Sequence, residues 1–298
     1  MYFYDNEGGH LGHHRIFSAR SIMPIRTVRN PAVVITGASS GIGQATAFAM
    51  AKRGGHLGLV ARRADRLEAI AAEIRSRGGQ AVALPCDVTD ADAVQKAVEA
   101  CVAHFGRLDV LINNAGIGLF ATIEQTTAQD LDRLLATNLR GPFYAVKAAL
   151  PFMRHQGSGH IVNVASTAGR RGSPYIGAYC ASKFAMVGFT ESLRVELLDT
   201  GIHVSLICPG ATRTEFFDVT ERRTPRHSGL VGPIESPERV AGRIVSVVGR
   251  PRREVMAQPF RRKVFFTLNL FAPGLIDRFL AWLIGGEQNR QSRKKRFL

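Results

Sequence analysis

A tyrosine and a lysine four residues apart, Tyr179 and Lys183, are well suited to moving a proton. On a helix this spacing places both side chains on one face, within reach of a common ligand. A free phenol has a pKa of about 10, so it becomes a useful acid or base near neutrality only beside positive charge. Lys183 can supply that charge, and Ser166 follows the apolar run that precedes this helix. These residues predict a proton-transfer site, although Tyr-x-x-x-Lys alone is common on helix surfaces.

A glycine-rich turn at residues 36–43 follows the first apolar run and reads Thr-Gly-Ala-Ser-Ser-Gly-Ile-Gly. Residues without a β-carbon reach unusual dihedrals and let backbone amides approach a pyrophosphate at a helix N-terminus. The glycine spacing is one residue wider than the usual dinucleotide fingerprint. A purely structural turn is the alternative, but the position between strand and helix favours a phosphate site. Its candidate contact residues are Gly37, Ser39, Ser40, Gly41, Ile42 and Gly43.

The second apolar run ends in Ala61, Arg62 and Arg63. Folds selective for NAD place a carboxylate near this point, about twenty residues past the turn, whereas NADP enzymes use arginine for the 2′-phosphate. Ala61 offers no acid, and a guanidinium can bond two phosphate oxygens at once. The sequence therefore predicts NADP as the cofactor, with NADPH preferred over NADH. If the two arginines merely open a surface helix, the cofactor preference is undecided.

Short apolar runs alternate with longer helical stretches from residue 31 onward, and these elements must position the candidate residues. Runs that are apolar on both faces are typical of a parallel sheet covered by helices on each side. The predicted fold class is α/β, a single-domain, doubly wound, Rossmann-like sheet that binds ligands at the carboxyl ends of its strands. The predicted strands are 32–36, 56–61, 81–85, 109–112, 160–164 and 202–208, and the predicted helices are 42–53, 65–77, 90–105, 129–154 and 178–199.

Taken together and in chain order, the motifs resemble those of the short-chain dehydrogenase/reductase family. The resemblance covers residues 31–256 and rests on many ordered motifs. It implies an oxidoreductase that moves a hydride between a nicotinamide ring and a carbonyl/alcohol pair. The matching motifs are Thr36-Gly37-x-x-x-Gly41-Ile42-Gly43, Asp87-Val88, Asn113-Asn114-Ala115-Gly116, Asn138, Ser166, Tyr179-x-x-x-Lys183 and Pro209-Gly210.

The resemblance implies a role for each matching residue. Ser166 would hydrogen-bond the substrate carbonyl oxygen, and Tyr179 would deliver or remove its proton. Lys183 would hold the nicotinamide ribose and lower the Tyr179 pKa, while Asn138 would interrupt its helix and hold a water. The other residues would bind the cofactor, with Asp87 and Val88 at the adenine, Asn114, Ala115 and Gly116 at the adenosine ribose, and Pro209, Gly210 and Thr214 at the nicotinamide end. Ser40 departs from the pattern, since some NADP-preferring members carry a basic residue there.

The net charge of +15 is concentrated at the carboxyl end, where residues 250–298 carry +9 and residues 31–249 only +4. A basic tail of this kind is most often simply solvated. The sheet region contains no interleaved aromatic and basic residues of the kind that bind nucleic acid. A nucleic-acid partner is therefore not expected.

Residues 1–30 lack the apolar run of a secretory signal and predict a disordered extension. Its histidines, His10, His13 and His14, have no Cys, Asp or Glu at a useful spacing, so no metal site is expected. The cysteines form no CxxC pair, which predicts buried thiols in a reducing, cytoplasmic setting. They are Cys86, Cys101, Cys180 and Cys208.

The carboxyl-terminal extension, residues 257–298, is mostly apolar over 264–286 and ends in a basic run. Pro273 and the Asp277-Arg278 pair interrupt the apolar part, so a single spanning helix is not expected. Two short amphipathic pieces flanked by cations are compatible with peripheral membrane contact through residues 264–298. The alternative is that their apolar residues cover the substrate pocket or contact a second copy of the chain.

Substrate identity is not encoded in these motifs. The segment 211–237 contains Phe216 and Phe217 and predicts a mobile lid with an apolar inner face, which suggests an apolar carbonyl or alcohol. The family resemblance implies a homodimer or homotetramer. The alternatives are a catalytically silent dinucleotide-binding scaffold or sensor, a nucleic-acid binder and a sugar epimerase. The intact set of Ser166, Tyr179, Lys183 and Asn138 argues against the silent scaffold.

Overall fold

The computed structural model describes residues 29–224, 234–257 and 259–282. Its strands are β1 (Ala32–Thr36), β2 (His56–Ala61), β3 (Gln80–Pro85), β4 (Val110–Asn113), β5 (Leu119–Phe120), β6 (Gly159–Val164), β7 (Ile202–Cys208), β8 (Glu221–Arg222) and β9 (Glu254–Met256). Its α-helices are α1 (Gly41–Ala51), α2 (Ala64–Ser76), α3 (Ala91–Phe105), α4 (Ala128–Leu135), α5 (Gly141–Gln156), α6 (Gly177–Glu196), α7 (Phe216–Val219), α8 (Pro237–Gly249), α9 (Pro259–Phe271) and α10 (Pro273–Trp282).

Seven strands form one parallel sheet in the order β3-β2-β1-β4-β6-β7-β9. The six predicted strands all lie in this sheet, within one residue of their predicted bounds. The strand order reverses between β1 and β4, so a crevice opens at the carboxyl ends of these two neighbours. The predicted doubly wound α/β fold is confirmed.

Helices cover both faces of the sheet, as strands that are apolar on both sides require. On one face, α1, α2 and α8 pack against Val33 and Ile35 of β1. On the other face, α3, α5 and α6 pack against Val34 of β1 and Leu111 of β4. Successive strand residues point to opposite faces, so each central strand contributes to both core layers. This double core fixes the sheet edge at which the candidate residues lie.

Two features differ from the sequence prediction. The stretch 129–154, predicted as one helix, consists of α4, a π-helical turn over Ala136–Arg140 and α5. A single π-turn barely disturbs the apolar periodicity, so the sequence pattern does not reveal it. The sheet also contains β9, which pairs with β7 and was not predicted. Its three residues are too few to show alternation, and they directly follow the arginines at 252 and 253.

The predictions for the two ends of the chain have different outcomes. Residues 1–28, with the three histidines, and residues 283–298 lie outside the described residues. In the described part, α9 and α10 are the two short pieces predicted at the carboxyl end, and they meet at an angle of 119°. Within the described ranges no single helix is long and apolar enough to cross a membrane. The four cysteines are buried and unpaired, as predicted.

Asp109 connects the starts of the two strands that flank the crossover. Its buried carboxylate accepts a hydrogen bond from the Ala32 backbone N–H at 2.8 Å. The same carboxylate accepts two hydrogen bonds from the Arg107 guanidinium, at 2.8 and 2.6 Å. Asp109 therefore holds β1 and β4 in register at the end opposite the crevice.

We predict that Asp109→Ala lowers the free energy of unfolding by about 2 kcal/mol, because it leaves the buried Ala32 N–H without an acceptor. Asp132→Ala, which removes an exposed carboxylate from α4, is the matched control and should change it by less than about 0.5 kcal/mol. Urea unfolding followed by circular dichroism measures both values. Equal stabilities of the two variants would contradict a structural role for Asp109.

Candidate active site

A cavity of about 1160 Å³ opens at the carboxyl ends of the strands, beside the crossover between β1 and β4. Its walls come from the turn after β1, the ends of β2 and β3, the segments after β4, β6 and β7, and the helices α9 and α10. Every predicted site residue lines this cavity except Gly43 and Asn138. The fold thus brings together residues that are spread over most of the sequence.

The turn after β1 is built for close backbone approach. Gly37 has a φ of +66° and Gly41 a φ of +56°, in the left-handed region where a β-carbon is strained. Gly43 has no room for a side chain, because a β-carbon there would lie 2.1 Å from the Gly37 carbonyl oxygen. The turn leads directly into α1, whose N-terminal amides can bind an anion. This geometry fits the predicted phosphate site.

The turn is held against the segment after β4 by a pair of side chains. Thr36 Oγ1 accepts hydrogen bonds from the backbone amides of Asn114 and Ala115, at 3.0 and 3.1 Å. Asn114 Nδ2 in turn donates to the carbonyl oxygens of Thr36 and Gly37, at 3.0 and 3.3 Å. We call these contacts the Thr36–Asn114 clasp. Asn114 was expected to line the adenosine ribose, and the structure adds this supporting function.

The two arginines after β2 take different positions. Arg62 is exposed and lines the cavity. Arg63 turns onto the glycine-rich turn and donates to Ser39 Oγ at 3.0 Å and to Ser40 Oγ at 2.9 Å. Arg63 also forms an ion pair with Glu215 at 3.0 Å. Sequence reasoning missed Glu215, since nothing in the local pattern links it to a residue 152 positions away.

Asp87 lies at the predicted adenine end of the cavity. Burial alone would raise its pKa, but hydrogen bonds from Thr89 and the charge of Arg62 bring the pKa below its usual value. Thr89 donates through its backbone N–H at 2.9 Å and its hydroxyl at 2.8 Å, both to Asp87 Oδ1. Asp87 is therefore an ionised acceptor with a fixed orientation, which suits recognition of an amine.

Ser166, Tyr179 and Lys183 meet in the same cavity. The Ser166 side chain hydrogen-bonds the Tyr179 phenol. Lys183 Nζ lies 5.8 Å from the centroid of the Tyr179 ring and donates to the Val164 carbonyl oxygen at 3.4 Å. The sequence prediction that one helical face presents Tyr179 and Lys183 to a shared space agrees with this geometry.

Burial dominates the pKa values at this end of the cavity. Desolvation raises the pKa of Tyr179 to about 12, and the Ser166 hydrogen bond opposes the rise only in part. Desolvation also lowers the pKa of Lys183 to about 8. The expected lowering of the Tyr179 pKa by Lys183 is therefore not produced by the chain's own residues. The phenol loses its hydration, and this loss outweighs the attraction between phenolate and ammonium.

Asn138 lies inside the π-helical turn between α4 and α5, where the family resemblance implied an interrupted helix. Its Oδ1 accepts from the Ile117 backbone N–H at 2.9 Å, and its Nδ2 donates to the Ile117 carbonyl oxygen at 3.0 Å. Nδ2 also donates to Ser182 Oγ at 2.9 Å. The side chain is fully buried, so these bonds fix the segment after β4 against α6, the helix that carries Tyr179 and Lys183.

The part of the cavity next to Tyr179 is lined by aromatic and other apolar residues. Phe216 of α7 packs against the Tyr179 ring with centroids 5.8 Å apart. The predicted lid, residues 211–237, is described at 211–224 and 234–237, and residues 225–233 lie outside the described residues. The part before this gap is anchored by Arg223, whose guanidinium holds the pKa of buried Asp130 well below its usual range. The helices α9 and α10 add four further apolar residues to the wall, namely Phe265, Phe266, Phe279 and Leu280.

Comparisons with known proteins identify the family. Residues 31–224 match the family described as short chain dehydrogenase. The D-threitol dehydrogenase of Mycolicibacterium smegmatis is 41% identical over 182 residues, which cover 61% of this chain and 70% of that protein. The 11-beta-hydroxysteroid dehydrogenase-like 2 protein of Arabidopsis thaliana is 34% identical over 275 residues, covering 90% of this chain and 86% of that protein. The chain belongs to the short-chain dehydrogenase/reductase family.

Solved structures agree with this assignment. A family member from Burkholderia phymatum in complex with NAD has a TM-score of 0.75 and 27% identity, covering 83% of this chain and 96% of that chain. A metagenomic short-chain oxidoreductase in complex with NADP has a TM-score of 0.66 and 31% identity, with coverages of 78% and 98%. The protein is thus an oxidoreductase of this family that uses a nicotinamide dinucleotide. The glycine-rich turn beside the cavity fits such a cofactor.

We predict that Gly43→Ala weakens binding of the dinucleotide about tenfold or more, because the added methyl group pushes the turn away from the Thr36–Asn114 clasp. Gly188→Ala is the matched control, since a β-carbon at this position in α6 meets nothing within 4 Å. Calorimetric titration with NADPH measures both affinities. Unchanged affinity in Gly43→Ala would show that the turn tolerates a side chain and does not approach the cofactor closely.

Proposed function

We propose that the protein interconverts a carbonyl and an alcohol with NADPH as the hydride donor, and that Tyr179 is the general acid/base. The observation that carries this proposal is the meeting of Ser166, Tyr179 and Lys183 at one end of the cavity. At the other end lie the glycine-rich turn and the two arginines. One extended ligand can therefore contact the turn and the phenol together.

The mechanism assigns one task to each side chain. The nicotinamide cofactor supplies hydride transfer when bound. Ser166 hydrogen-bonds the substrate oxygen and keeps it beside the Tyr179 phenol. Tyr179 donates its proton to that oxygen during reduction and accepts it back during oxidation. Lys183, with a pKa of about 8, is mostly protonated at neutral pH and stabilises the phenolate electrostatically.

We predict that Tyr179→Phe lowers kcat by about 100- to 10,000-fold, the usual contribution of general acid/base catalysis. The affinity for NADPH should change by no more than a few-fold, because only the acidic proton is removed. Tyr144→Phe, which changes a tyrosine of α5 outside the cavity, is the control and should keep full activity. NADPH oxidation with a panel of ketones and aldehydes measures the rates. Retention of more than about a tenth of the rate would exclude Tyr179 as the acid.

The preference for NADPH is supported by the cations around the end of β2. Ala61 leaves this position without the carboxylate that would repel a 2′-phosphate. Arg62 lines the cavity, and the Arg63 guanidinium donates a hydrogen bond to Ser40 Oγ. Ser40 stands where some NADP-preferring members carry a basic residue, and Arg63 brings a guanidinium to that place from another part of the chain. This contact supports NADPH despite the departure at Ser40.

We predict that Arg62→Asp removes the preference for NADPH and changes the ratio of the two affinities about 100-fold or more. The variant loses charge-assisted hydrogen bonds and places an anion opposite the phosphate. Arg53→Asp, at an exposed position after α1, is the charge-matched control and should leave the ratio unchanged. Titration of each variant with NADPH and NADH gives the ratio. Equal binding of both cofactors by the unmodified chain would contradict the proposal.

The proposal includes partners as well as a substrate. The cavity's apolar end supports an apolar carbonyl or alcohol as the substrate. Phe143 of α5 and Phe184 of α6 are half-exposed, which supports a homodimer or homotetramer formed through the face of these helices. The exposed apolar residues of α9 and α10 support peripheral membrane contact through residues 264–298.

A further inference from the structure

The helices α9 and α10 turn one set of apolar side chains into the cavity. Phe265 and Phe266 of α9 and Phe279 and Leu280 of α10 line it, and Leu280 is buried. Phe216 of α7 lines the same cavity and packs against the Tyr179 ring. The helix pair therefore shares one apolar cavity with Tyr179.

An ion pair fastens the helix pair to the catalytic loop. Arg171, in the loop after Ser166, pairs with Asp277 of α10. Arg171 also lines the cavity. Movement of α10 is thereby coupled to the loop that carries Ser166, so the helix pair and the substrate end of the cavity form one unit.

A second set of large apolar side chains on the same helices is exposed and lies outside the cavity lining. Leu270, Phe271, Leu275 and Trp282 are 78%, 84%, 67% and 71% exposed. Val219, at the cavity rim, is 74% exposed. Four large, exposed apolar residues within thirteen residues of chain favour an interaction surface over ordinary protein surface. Because the two helices meet at 119°, the pair suits a location along an interface better than a single crossing of it.

The charge of the surrounding sequence identifies the partner. Arg261, Arg262 and Lys263 directly precede the apolar part of α9, and residues 250–298 together carry +9. Anionic lipid headgroups attract such cations while the acyl region takes up the apolar side chains. A second copy of this chain would bring the same positive charge to the contact, which disfavours self-association here.

We propose that α9 and α10 dock on an anionic phospholipid surface, and that an apolar carbonyl or alcohol dissolved in that membrane enters the cavity beneath them. The docking surface deepens the membrane contact proposed above, and the entry route also rests on the proposed reaction. The exposed residues Leu270, Phe271, Leu275 and Trp282 enter the headgroup boundary. The cavity-lining phenylalanines then offer the substrate a continuous apolar path toward Tyr179.

Docking is tested by flotation of the full chain with vesicles. Vesicles of phosphatidylcholine with phosphatidylglycerol should bind the chain more strongly than vesicles of phosphatidylcholine alone, and salt should weaken the binding. Leu270→Ser combined with Phe271→Ser should lower binding about tenfold or more. Val195→Ser combined with Leu198→Ser is the matched control, since these residues near the end of α6 are 67% and 64% exposed. It should bind like the unmodified chain.

Two outcomes overturn the docking surface. The first is failure of the full chain to bind anionic vesicles, or binding that is equal in the Leu270→Ser, Phe271→Ser variant. The second is found by sedimentation velocity. A smaller assembly in that variant, without vesicle binding by the unmodified chain, would make this face an interface between copies.

The entry route is tested by comparing two ketones, a long-chain aliphatic ketone carried in anionic vesicles and a short-chain ketone in solution. The unmodified chain should oxidise NADPH several-fold faster than the Leu270→Ser, Phe271→Ser variant with the long-chain ketone. Both proteins should be equally active on the soluble ketone. Equal rates on the long-chain ketone overturn the route. A chain that floats but reduces neither ketone contradicts both the proposed function and the route, and the docking surface stands.

Discussion

The Thr36–Asn114 clasp holds together the two loops that meet at the crossover of the sheet. Thr36 ends β1 and Asn114 follows β4, so these hydrogen bonds fix the position of one loop against the other. The loops approach this closely because Gly37 and Gly43 have no side chains, since a β-carbon at Gly37 would lie 2.8 Å from Ala115 Cα and one at Gly43 2.6 Å from Asn114 Nδ2. The turn is thereby fixed at the carboxyl end of β4. Since β6 is paired with β4, the same sheet then sets the distance from the turn to Ser166 and the residues of α6.

Desolvation of Tyr179 has opposite consequences for the two directions of the proposed reaction. Desolvation raises the Tyr179 pKa to about 12, which keeps the phenol protonated and ready to donate during reduction. Oxidation requires a phenolate, which is stable in this environment only beside positive charge. In a buried site such charge is poorly screened by water, so Lys183, and a nicotinamide ring bound beside it, would act on the phenol more strongly than exposed cations would. In the proposed reaction, oxidation therefore depends on positive charge close to the Tyr179 phenolate, whereas reduction does not.

The parts of this structure that the sequence predicted are those encoded by local patterns. Apolar runs located all six predicted strands, and the order of the motifs located the cavity residues. The interruption of the helix at Asn138 came only from the family resemblance, because apolar periodicity alone predicted one continuous helix. The short strand β9 and the ion pair between Arg63 and Glu215 were not predicted. Both depend on tertiary contacts, since three residues pair with β7 in one case and two side chains from distant segments meet in the other. The carboxyl-terminal helices illustrate the same limit, because composition showed their apolar character but left open whether they cover the pocket, contact a second copy or meet a membrane. The structure places Phe265, Phe266, Phe279 and Leu280 in the cavity wall.

The segment after β7 connects the two ends of the site through contacts made within a few residues. Thr214 packs against Gly41 of the glycine-rich turn. Glu215 forms ion pairs with Arg63, just before α2, and with Arg66 in α2. The next residue, Phe216, packs against the Tyr179 ring. Because adjacent residues contact the glycine-rich turn and Tyr179, this segment cannot move at one end without disturbing the other. In the proposed function, its position would therefore affect both cofactor binding and access to Tyr179.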